Sequence, residues 1–285
     1  MASGRGARAR PGAPPAPEGA TMPQQPQVPI DTAVPHSARI WNYWLGGKDN
    51  YAVDREAGDR FRATFPGIVD GARAARYFLA RAVRHLAGEA GVRQFLDIGT
   101  GLPNVDNTHE IAQRVAPEAR VVYVDNDPLV LAHARALLSS APEGAADYLD
   151  ADLLDPEGIV RAAAGTLDFD RPVALMLMGI LGHVEDFEEA KAIVRRLTAA
   201  LPPGSYLVHY DSTDTSEEYV TAIRGYNEGG AVPYILRSPE RIAEFFDGLD
   251  LLEPGVVSCS RWRPDALAFG LPAEVHQYGG VARKP

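Results

Sequence analysis

Two glycines and an aspartate stand close together at 97–101, at the end of a short apolar run. Asp97 is followed by Gly99, Thr100 and Gly101. Glycines at such a turn allow a tight bend and let the backbone approach a ligand with no Cβ in the way. The acid favours a ligand with a cationic group, because a pyrophosphate needs hydrogen-bond donors. Asn104 stands where G-x-G-x-x-G would place its third glycine, which disfavours an NAD-dependent enzyme.

Further acids follow the next two apolar runs of the chain. Asp125 closes the run at 121–124, which places it 24 residues beyond Gly101. An acid at this position can accept hydrogen bonds from both hydroxyl groups of a ribose, and Asn126 adjoins it. Asp152, shortly after a third run, can accept a hydrogen bond from the amino group of an adenine while Leu153 packs on the ring. A solvated turn is the alternative explanation for Asp152.

The hydrophobic pattern predicts elements that would bring these residues together. Short apolar runs predict strands at 94–98, 120–124, 172–178 and 205–210, and helical spacing predicts helices at 107–115, 128–139, 156–164 and 187–201. This alternation is typical of a parallel sheet with helices on both faces. Ligands of such sheets bind at the carboxyl ends of the strands, so we expect the three acids to share one edge.

Flanking segments complete the predicted architecture. Amphipathic helices are predicted at 52–65 and 71–90, before the sheet. Asp127 and Ser238 each precede a proline, which predicts helix N-caps, and the second helix should reach about residue 247. Two late strands are predicted within 250–258 and 275–283, and they should be antiparallel neighbours because no long helix separates them.

Three acid-bearing strand ends in this order resemble the class I S-adenosylmethionine-dependent methyltransferases. A closer resemblance rests on ARIWNYWLGGKDNY at 38–51, DRE at 54–56, EPGV at 253–256 and RWRP at 261–264. Over roughly residues 30–285 the chain is similar to a bacterial family named S-adenosyl methyltransferase. The resemblance implies a Rossmann-like α/β fold. It further implies a mostly parallel seven-stranded sheet with the late antiparallel pair, an N-terminal helical lid, and S-adenosylmethionine as cofactor.

The segment 38–51 lies within the predicted lid. It combines four aromatic residues with a Gly-Gly pair and several polar residues. Such a segment can fold over a sheet edge, pack its rings on a ligand and exclude water. Tyr43 and Asn50 are the predicted cofactor contacts from this segment. The alternative is a cap whose aromatic residues only seal the core.

The resemblance also points to residues after the fourth and fifth predicted strands. In related enzymes the fourth strand end faces the transferred methyl group, so Gly179 should border the cofactor and His183 is a candidate general base. A structural or solvated histidine is the alternative. Tyr210 and Asp211 are candidates for the acceptor pocket. No dedicated catalytic motif is present, so the catalytic residues stay open.

Composition excludes several function classes. Lys and Arg total 28 against 38 Asp and Glu, so the net charge of −10 argues against a nucleic-acid partner. The seven histidines show no metal-ligand spacing, and the single cysteine, Cys259, excludes a disulfide within the chain and fits a reducing compartment. The most apolar stretch, 172–182, is about half the ~20 residues that span a bilayer. We therefore expect a cytoplasmic protein without a membrane partner or a metal site.

The predicted organisation has three parts. Residues 1–29 hold seven prolines and four glycines and should be disordered. Residues 30–91 form the helical lid, and residues 92–285 form the S-adenosylmethionine-binding α/β domain, in one compact unit with the lid. The predicted function is methyl transfer to a small-molecule acceptor. The alternative is a non-catalytic S-adenosylmethionine-binding sensor or partner subunit, and the oligomeric state is left open.

Overall fold

A computed structural model gives the fold and describes residues 30–103, 106–137, 140–265 and 270–285. The tail at 1–29, which we predict to be disordered, lies outside these ranges. Asn104 and the last two residues of the helix predicted at 128–139 lie outside them as well.

Helices and strands alternate along the described chain. The helices are α1 (Ser37–Trp44), α2 (Ala52–Thr64), α3 (Ile68–Gly88), α4 (Thr108–Val115), α5 (Pro128–Leu137), α6 (Pro156–Ala163), α7 (Phe187–Ala199), α8 (Glu217–Asn227) and α9 (Pro239–Ala243). The strands are β1 (Gln94–Ile98), β2 (Arg120–Asp125), β3 (Ala145–Asp150), β4 (Ala174–Met178), β5 (Tyr206–Ser212), β6 (Asp250–Leu251), β7 (Val257–Ser258) and β8 (Gln277–Arg283). Short 3-10 helices at Leu181–His183 and Glu244–Phe246 follow β4 and α9.

The strands form one mixed sheet. Its order is β3-β2-β1-β4-β5-β8-β6, with β7 also paired to β8. Strands β1 to β5 run parallel, and β8 is antiparallel to β5, β6 and β7. This order confirms the predicted class I fold, including the late antiparallel strands. The carboxyl ends of β1, β2 and β3 therefore lie side by side.

The predicted strand within 250–258 is interrupted. Strands β6 and β7 contain two residues each, and the chain turns between them at Pro254 and Gly255. Pro254 has no backbone N–H to donate to a ladder, and Gly255 has a φ of 89°, which is the left-handed region. The apolar pattern at 250–258 thus indicates a strand, but it does not predict the turn that divides the segment into two strands.

Both faces of the sheet are covered, as predicted. Alternate residues of a strand point to opposite faces. Phe95 and Met176 pack with α3 and α4, whereas Leu96 and Leu175 pack with α6 and α7. Every residue of β1 is buried, which explains why its sequence is a continuous apolar run broken only by the acid.

Helices α1, α2 and α8 pack together beside the carboxyl edge. Their shared core is apolar and largely aromatic, and includes Ile40, Trp44, Phe61, Tyr219 and Ile223. A buried ion pair joins α1 to α2, with Nε of Arg39 3.3 Å from Oδ1 of Asp54. The helices predicted at 52–65 and 71–90 are confirmed as α2 and α3, but α1 and α8 are not predicted by the sequence pattern.

None of the helices in the described ranges has the length and apolar character of a membrane span. Within the same ranges, no group of three or more His, Cys, Asp and Glu side chains is arranged to hold a metal ion.

Candidate cofactor and acceptor site

A cavity of about 400 Å³ lies at the carboxyl edge of the sheet, between the ends of β1 to β5 and the helices α1, α2, α3 and α8. Most of the residues singled out in the sequence line it. From β1 and β2 come Asp97, Gly99, Thr100, Gly101, Asp125 and Asn126. From the later strand ends come Asp152, Leu153, Gly179, His183 and Tyr210.

The glycine turn after β1 requires its glycines. Gly99 and Gly101 have φ values of 72° and 66°, in the left-handed region that other residues adopt at a cost. A Cβ on Gly99 would lie 2.5 Å from Cγ1 of Ile180, whereas a Cβ on Gly101 would meet only Ala38, at 3.9 Å. Position 99 therefore needs glycine both for its backbone conformation and because a Cβ would collide with Ile180. Position 101 needs glycine for its backbone conformation alone.

Asp125 joins the end of β2 to this turn. Its Oδ2 accepts a hydrogen bond from the amide of Gly101 at 2.8 Å, and its Oδ1 accepts one from the amide of Asp127 at 3.0 Å. Burial raises the pKa of Asp125, and these two amide hydrogen bonds oppose the rise. Each carboxylate oxygen has a second lone pair, so the group can still accept hydrogen bonds from a ligand in the cavity.

Asp97 is buried and only half satisfied. Its Oδ2 accepts a hydrogen bond from Oγ1 of Thr108 at 2.7 Å. Its Oδ1 is buried and has no hydrogen-bond partner in the part of the chain that the structure describes. Burial raises the pKa of Asp97 to about 6, while the Thr108 hydrogen bond and the positive charge of Arg76 lower it. A buried acceptor without a donor favours a ligand that brings a donor or a cation.

The two remaining acids of this edge differ in role. Asp152 is exposed at the rim of the cavity, and its Oδ1 accepts a hydrogen bond from the amide of Leu154 at 2.9 Å. Asp127 caps α5, as predicted, because its Oδ1 accepts from the amide of Leu129 at 2.8 Å. Its Oδ2 lies 3.0 Å from Nδ1 of His36, just before α1, so this acid connects the β2 edge to the N-terminal helices.

Tyr43 and Asn50 do not line the cavity, contrary to our expectation. The hydroxyl of Tyr43 donates to Oδ1 of Asp59 at 2.8 Å, and Nδ2 of Asn50 donates to Oδ1 of Asn42 at 3.0 Å. The reason is that the predicted lid contains α1. Residues three or four positions apart share a helix face. Most residues of α1 line the cavity, whereas positions 39 and 43, which are four apart and share a face, do not.

Asp211 is also outside the cavity. It lies on β5 next to Tyr210, and adjacent strand residues point to opposite faces. Its Oδ1 accepts from the hydroxyl of Tyr234 at 3.0 Å, and its Oδ2 lies 3.4 Å from Nη1 of Arg237, which is itself buried. Asp211 is therefore buried and ion-paired, and it does not line the cavity.

His183 and Tyr210 do face the cavity. His183 lies in the 3-10 helix after β4, with Nδ1 2.9 Å from the carbonyl oxygen of Pro233. Burial lowers the pKa of His183, which favours its neutral form. Burial raises the pKa of Tyr210 well above its usual value. Tyr210 therefore keeps its proton and can act as a donor.

Comparison with known proteins identifies the family. The sequence profile of the family described as S-adenosyl methyltransferase matches residues 23–285. The chain belongs to this family. It is therefore an S-adenosylmethionine-dependent methyltransferase, which confirms the family, the activity and the cofactor predicted from the sequence.

Two crystal structures are similar to this methyltransferase along most of its length. One is a DUF574 family protein from Streptomyces avermitilis, which is 50% identical, with 90% of this chain and 100% of that chain covered and a TM-score of 0.86. The other, described as a candidate methyltransferase, is from Thermobifida fusca and is 42% identical, with 89% and 96% covered and a TM-score of 0.82. No curated protein matches the chain.

The residues at the edge of the methyltransferase sheet fit the cofactor chemically. The unpartnered oxygen of Asp97 suits the ammonium of the methionine part, and the glycine turn leaves room for close approach. Asp125 retains acceptor capacity for ribose hydroxyls. The main observation behind this fit is the buried Oδ1 of Asp97, which has no hydrogen-bond partner among the described residues.

Several cavity residues of the methyltransferase are not predicted by the sequence pattern. Arg76 on α3 lines the cavity close enough to Asp97 to lower its pKa, and its Nη2 donates to the carbonyl oxygen of Asp106 at 2.8 Å. The rings of Phe61, Tyr219 and Tyr226 also line it. Arg76 is one of several arginines on α3, so its sequence position alone carries no signal.

Proposed function

We propose that this methyltransferase binds S-adenosylmethionine across the ends of β1, β2 and β3 and transfers its methyl group to a small molecule held in the rest of the cavity. The observation that carries the proposal is the convergence of Asp97, Asp125 and Asp152, with the Gly99 and Gly101 turn, on one cavity. These acids are 28 and 27 positions apart in sequence, counting 97 to 125 and 125 to 152.

Each acid has a distinct proposed contact. Asp97 accepts from the ammonium, Asp125 accepts from the ribose hydroxyls, and Asp152 accepts from the adenine amino group while Leu153 packs on the ring. Arg76, beside Asp97, suits the carboxylate of the methionine part. Together these contacts would hold the cofactor with its methyl group towards Gly179 and the acceptor half of the cavity.

The bound cofactor supplies a methyl group on a positively charged sulfur, which is already electrophilic. The task left to the chain is to align an acceptor, exclude water and take up a proton where the acceptor carries one. Helices α1 and α8 close the cavity opposite the strand ends and would exclude water. In this proposal residues 30–91 act as the lid of the cofactor domain at 92–285.

Several features support a small acceptor in a bacterial cytoplasm. Cofactor and acceptor would share about 400 Å³, a volume typical of small-molecule sites. The net charge of −10 disfavours a polyanionic acceptor such as nucleic acid. The single cysteine, buried Cys259, suits a reducing compartment. Both similar crystal structures are of bacterial proteins.

The proposal is tested by calorimetry and isotope transfer on the full chain. S-adenosylhomocysteine should bind with a 1:1 stoichiometry. A methyl-labelled donor incubated with cell metabolites should transfer its label to a compound of low molecular mass. Binding without transfer in any extract would favour the sensor alternative, and absence of binding would contradict the proposed cofactor site.

A further inference from the structure

The cavity has two chemically different halves. Its charged acids, Asp97, Asp125 and Asp152, all come from the ends of β1, β2 and the segment after β3. Arg76 lies where the two halves meet, because its charge lowers the pKa of both Asp97 and Tyr210, and in the proposed function it pairs with the carboxylate of the cofactor. Beyond it, the half towards β4, β5 and α8 is lined mainly by aromatic and apolar side chains, with Ser212 and His183 among the polar ones. Among described residues this half has no carboxylate, lysine or further arginine.

Aromatic rings form a continuous wall in this second half. The ring of Phe61 lies 5.0 Å from that of Trp44, 5.7 Å from that of Tyr219 and 6.4 Å from that of Tyr226, measured between centroids. All four rings line the cavity. Tilted and edge-to-face contacts of this kind fix the rings in place, so the wall is preformed for another ring.

The polar atoms of this wall are already bonded within the protein. The hydroxyl of Tyr219 donates to Oγ of Ser212 at 2.9 Å, and that of Tyr234 donates to Asp211 at 3.0 Å. Nε1 of Trp44 donates to the carbonyl oxygen of Gly58 at 3.2 Å. What these residues leave for a ligand is mainly ring surface. A charged acceptor placed here would lose its hydration without gaining a counter-ion.

His183 supplies a directed acceptor in this apolar half. A carbonyl oxygen cannot donate, so the contact from Nδ1 to Pro233 requires the proton on Nδ1. In the neutral ring Nε2 then carries the lone pair. The ring of Tyr234 packs edge-on against the imidazole, with centroids 5.1 Å apart, and holds its orientation. Burial is the largest influence on the pKa of His183 and lowers it, which favours the neutral base. The hydrogen bond to Pro233 and the charge of Asp211 raise this pKa, and His36 lowers it.

We propose that the acceptor is a small, uncharged aromatic compound with a hydroxyl group, and that this hydroxyl gives its proton to Nε2 of His183 as its oxygen is methylated. The inference rests on the proposed function and adds the chemical class of the substrate. The aromatic wall selects a flat ring, the absence of charged side chains in this half among the described residues selects a neutral molecule, and Nε2 selects a proton donor.

Methyl transfer to the acceptor oxygen involves two bond changes at the methyl carbon and one proton transfer. A bond forms between the acceptor oxygen and the methyl carbon, while the bond from that carbon to the sulfonium sulfur breaks and leaves its electron pair on sulfur. The hydroxyl proton moves to Nε2 of His183, which becomes an imidazolium and later returns the proton to water. The products are an aryl methyl ether and S-adenosylhomocysteine.

Binding of three probes tests the substrate class. The full chain is first titrated with S-adenosylhomocysteine, and absence of binding at this stage would overturn the proposed function itself. With this ligand saturating, 2-naphthol should bind at least about tenfold more tightly than 2-naphthoate, which shares its rings but is anionic, and than cyclohexanol, which lacks an aromatic ring. Equal or tighter binding of either comparison compound would overturn the proposed class while leaving the proposed function intact.

A pair of tyrosine variants tests the wall. Tyr226→Leu removes a ring of the acceptor half, and Tyr77→Leu removes the ring of an α3 tyrosine that is 64% exposed and does not line the cavity. We expect Tyr226→Leu to weaken 2-naphthol binding about three- to tenfold, as lost ring contacts would. Tyr77→Leu should leave it unchanged, and both should bind S-adenosylhomocysteine like the parent chain. Equal 2-naphthol affinity in both variants would contradict the wall.

His183→Asn tests the base. An asparagine amide can still donate to Pro233 but has no counterpart of Nε2. Methyl ether formation from 2-naphthol should fall about 100-fold at neutral pH, with 2-naphthol affinity changed less than about threefold. The loss should shrink as pH rises towards the ionisation of the hydroxyl itself, near pH ~10 for a phenol. An unchanged rate, or no ether from tightly bound 2-naphthol in the parent chain, would overturn the assignment.

Discussion

The amide of Gly101 donates a hydrogen bond to Oδ2 of Asp125 across 2.8 Å, which ties the glycine turn after β1 to the end of β2. The acid that we assign to the ribose therefore also holds the glycine turn. If this assignment is right, loss of the carboxylate removes a ligand contact and loosens the turn at the same time. Cofactor affinity should consequently be more sensitive to Asp125 than to an exposed acid.

Asp125→Ala tests this coupling. The variant loses charge-assisted hydrogen bonds worth about 1.5–3 kcal/mol each, so we expect S-adenosylhomocysteine affinity to fall about tenfold or more. The matched control is Asp214→Ala, an exposed acid after β5 that does not line the cavity. Calorimetry on both folded variants decides the matter, and undiminished affinity of Asp125→Ala would contradict the ribose contact.

The pKa of Asp97 predicts a pH-dependent stability. Burial raises this pKa from 3.8 to about 6, so between these values the folded chain holds a proton that the unfolded chain has lost. The contribution of Asp97 to stability is full below pH ~4 and is lost as pH rises through about 6. Asp97→Asn lacks this titration. Between pH 4 and pH 7.5 the unfolding free energy of the parent chain should therefore fall by about 1–3 kcal/mol relative to that of the variant. Urea unfolding at the two pH values measures this, and a constant difference would contradict it.

The same group should make cofactor binding pH-dependent. An ammonium beside Oδ1 favours the ionised carboxylate, so protonation of Asp97 opposes binding. S-adenosylhomocysteine affinity should decline below pH 6 in the parent chain, by up to about tenfold per pH unit. In Asp97→Asn it should be weaker at pH 7.5 and nearly independent of this titration. A parallel decline in both proteins would assign the pH dependence to another group.

Gly99→Ala and Gly91→Ala separate backbone strain from crowding. Both glycines have φ near 70°, but a Cβ on Gly91 would meet nothing within 4 Å, whereas one on Gly99 would collide with Ile180. Gly91→Ala should cost about 1–2 kcal/mol of stability from conformation alone. Gly99→Ala should cost about 1–3 kcal/mol more. The double variant Gly99→Ala, Ile180→Gly tests the collision, because it removes Cβ, Cγ1 and Cδ1 of Ile180, the three atoms that a Cβ on Gly99 would meet within 2.6 Å. Equal unfolding midpoints for the two single variants would contradict the crowding argument.

The sequence predicts the sheet well for a physical reason. Strands of a parallel sheet are buried on both faces, so they appear as short apolar runs, and the acids at their ends break those runs visibly. The cap is harder to predict. Helix α1 is only eight residues long and rich in aromatic residues, a composition equally compatible with a loop. Its helical period decides that Trp41 faces the cavity and Tyr43 does not.

Other residues are defined only by tertiary packing. Arg76 resembles its neighbours Arg73 and Arg84 on α3 until the position of Asp97 is known. The ring wall joins α2 to α8, which are more than 150 residues apart, counting from 64 to 217. No local pattern reports such a contact. Asp211 is the opposite case. Its position at the end of a strand suggests contact with a ligand, but the structure shows that it is paired with Arg237.

Tyr43→Phe tests the corrected position of Tyr43. The substitution removes the hydroxyl that donates to Asp59 near the surface, and hydrogen bonds of this kind contribute about 0.5–1.5 kcal/mol. We expect S-adenosylhomocysteine affinity to stay within about twofold of the parent value, with unfolding free energy lowered by about 1 kcal/mol or less. A tenfold loss of affinity in a stable variant would restore Tyr43 to the cofactor site.

Arg237 links the buried acid of β5 to the turn that carries His183. Its Nη1 donates to the carbonyl oxygen of Leu181 at 2.8 Å and its Nη2 to that of Val184 at 2.6 Å, while Nη1 also lies 3.4 Å from Asp211. Arg237→Met would leave Asp211 buried with an uncompensated charge and free both carbonyl groups. We expect a loss of about 3–5 kcal/mol of unfolding free energy.

The double variant Arg237→Met, Asp211→Asn distinguishes the two parts of this loss. Removing the unpaired charge should recover part of the stability, so the two substitutions should be clearly non-additive in urea unfolding. The bonds to Leu181 and Val184 stay broken in the double variant, so the turn that orients His183 should remain loosened. Additive losses would show that Asp211 and Arg237 are not energetically coupled.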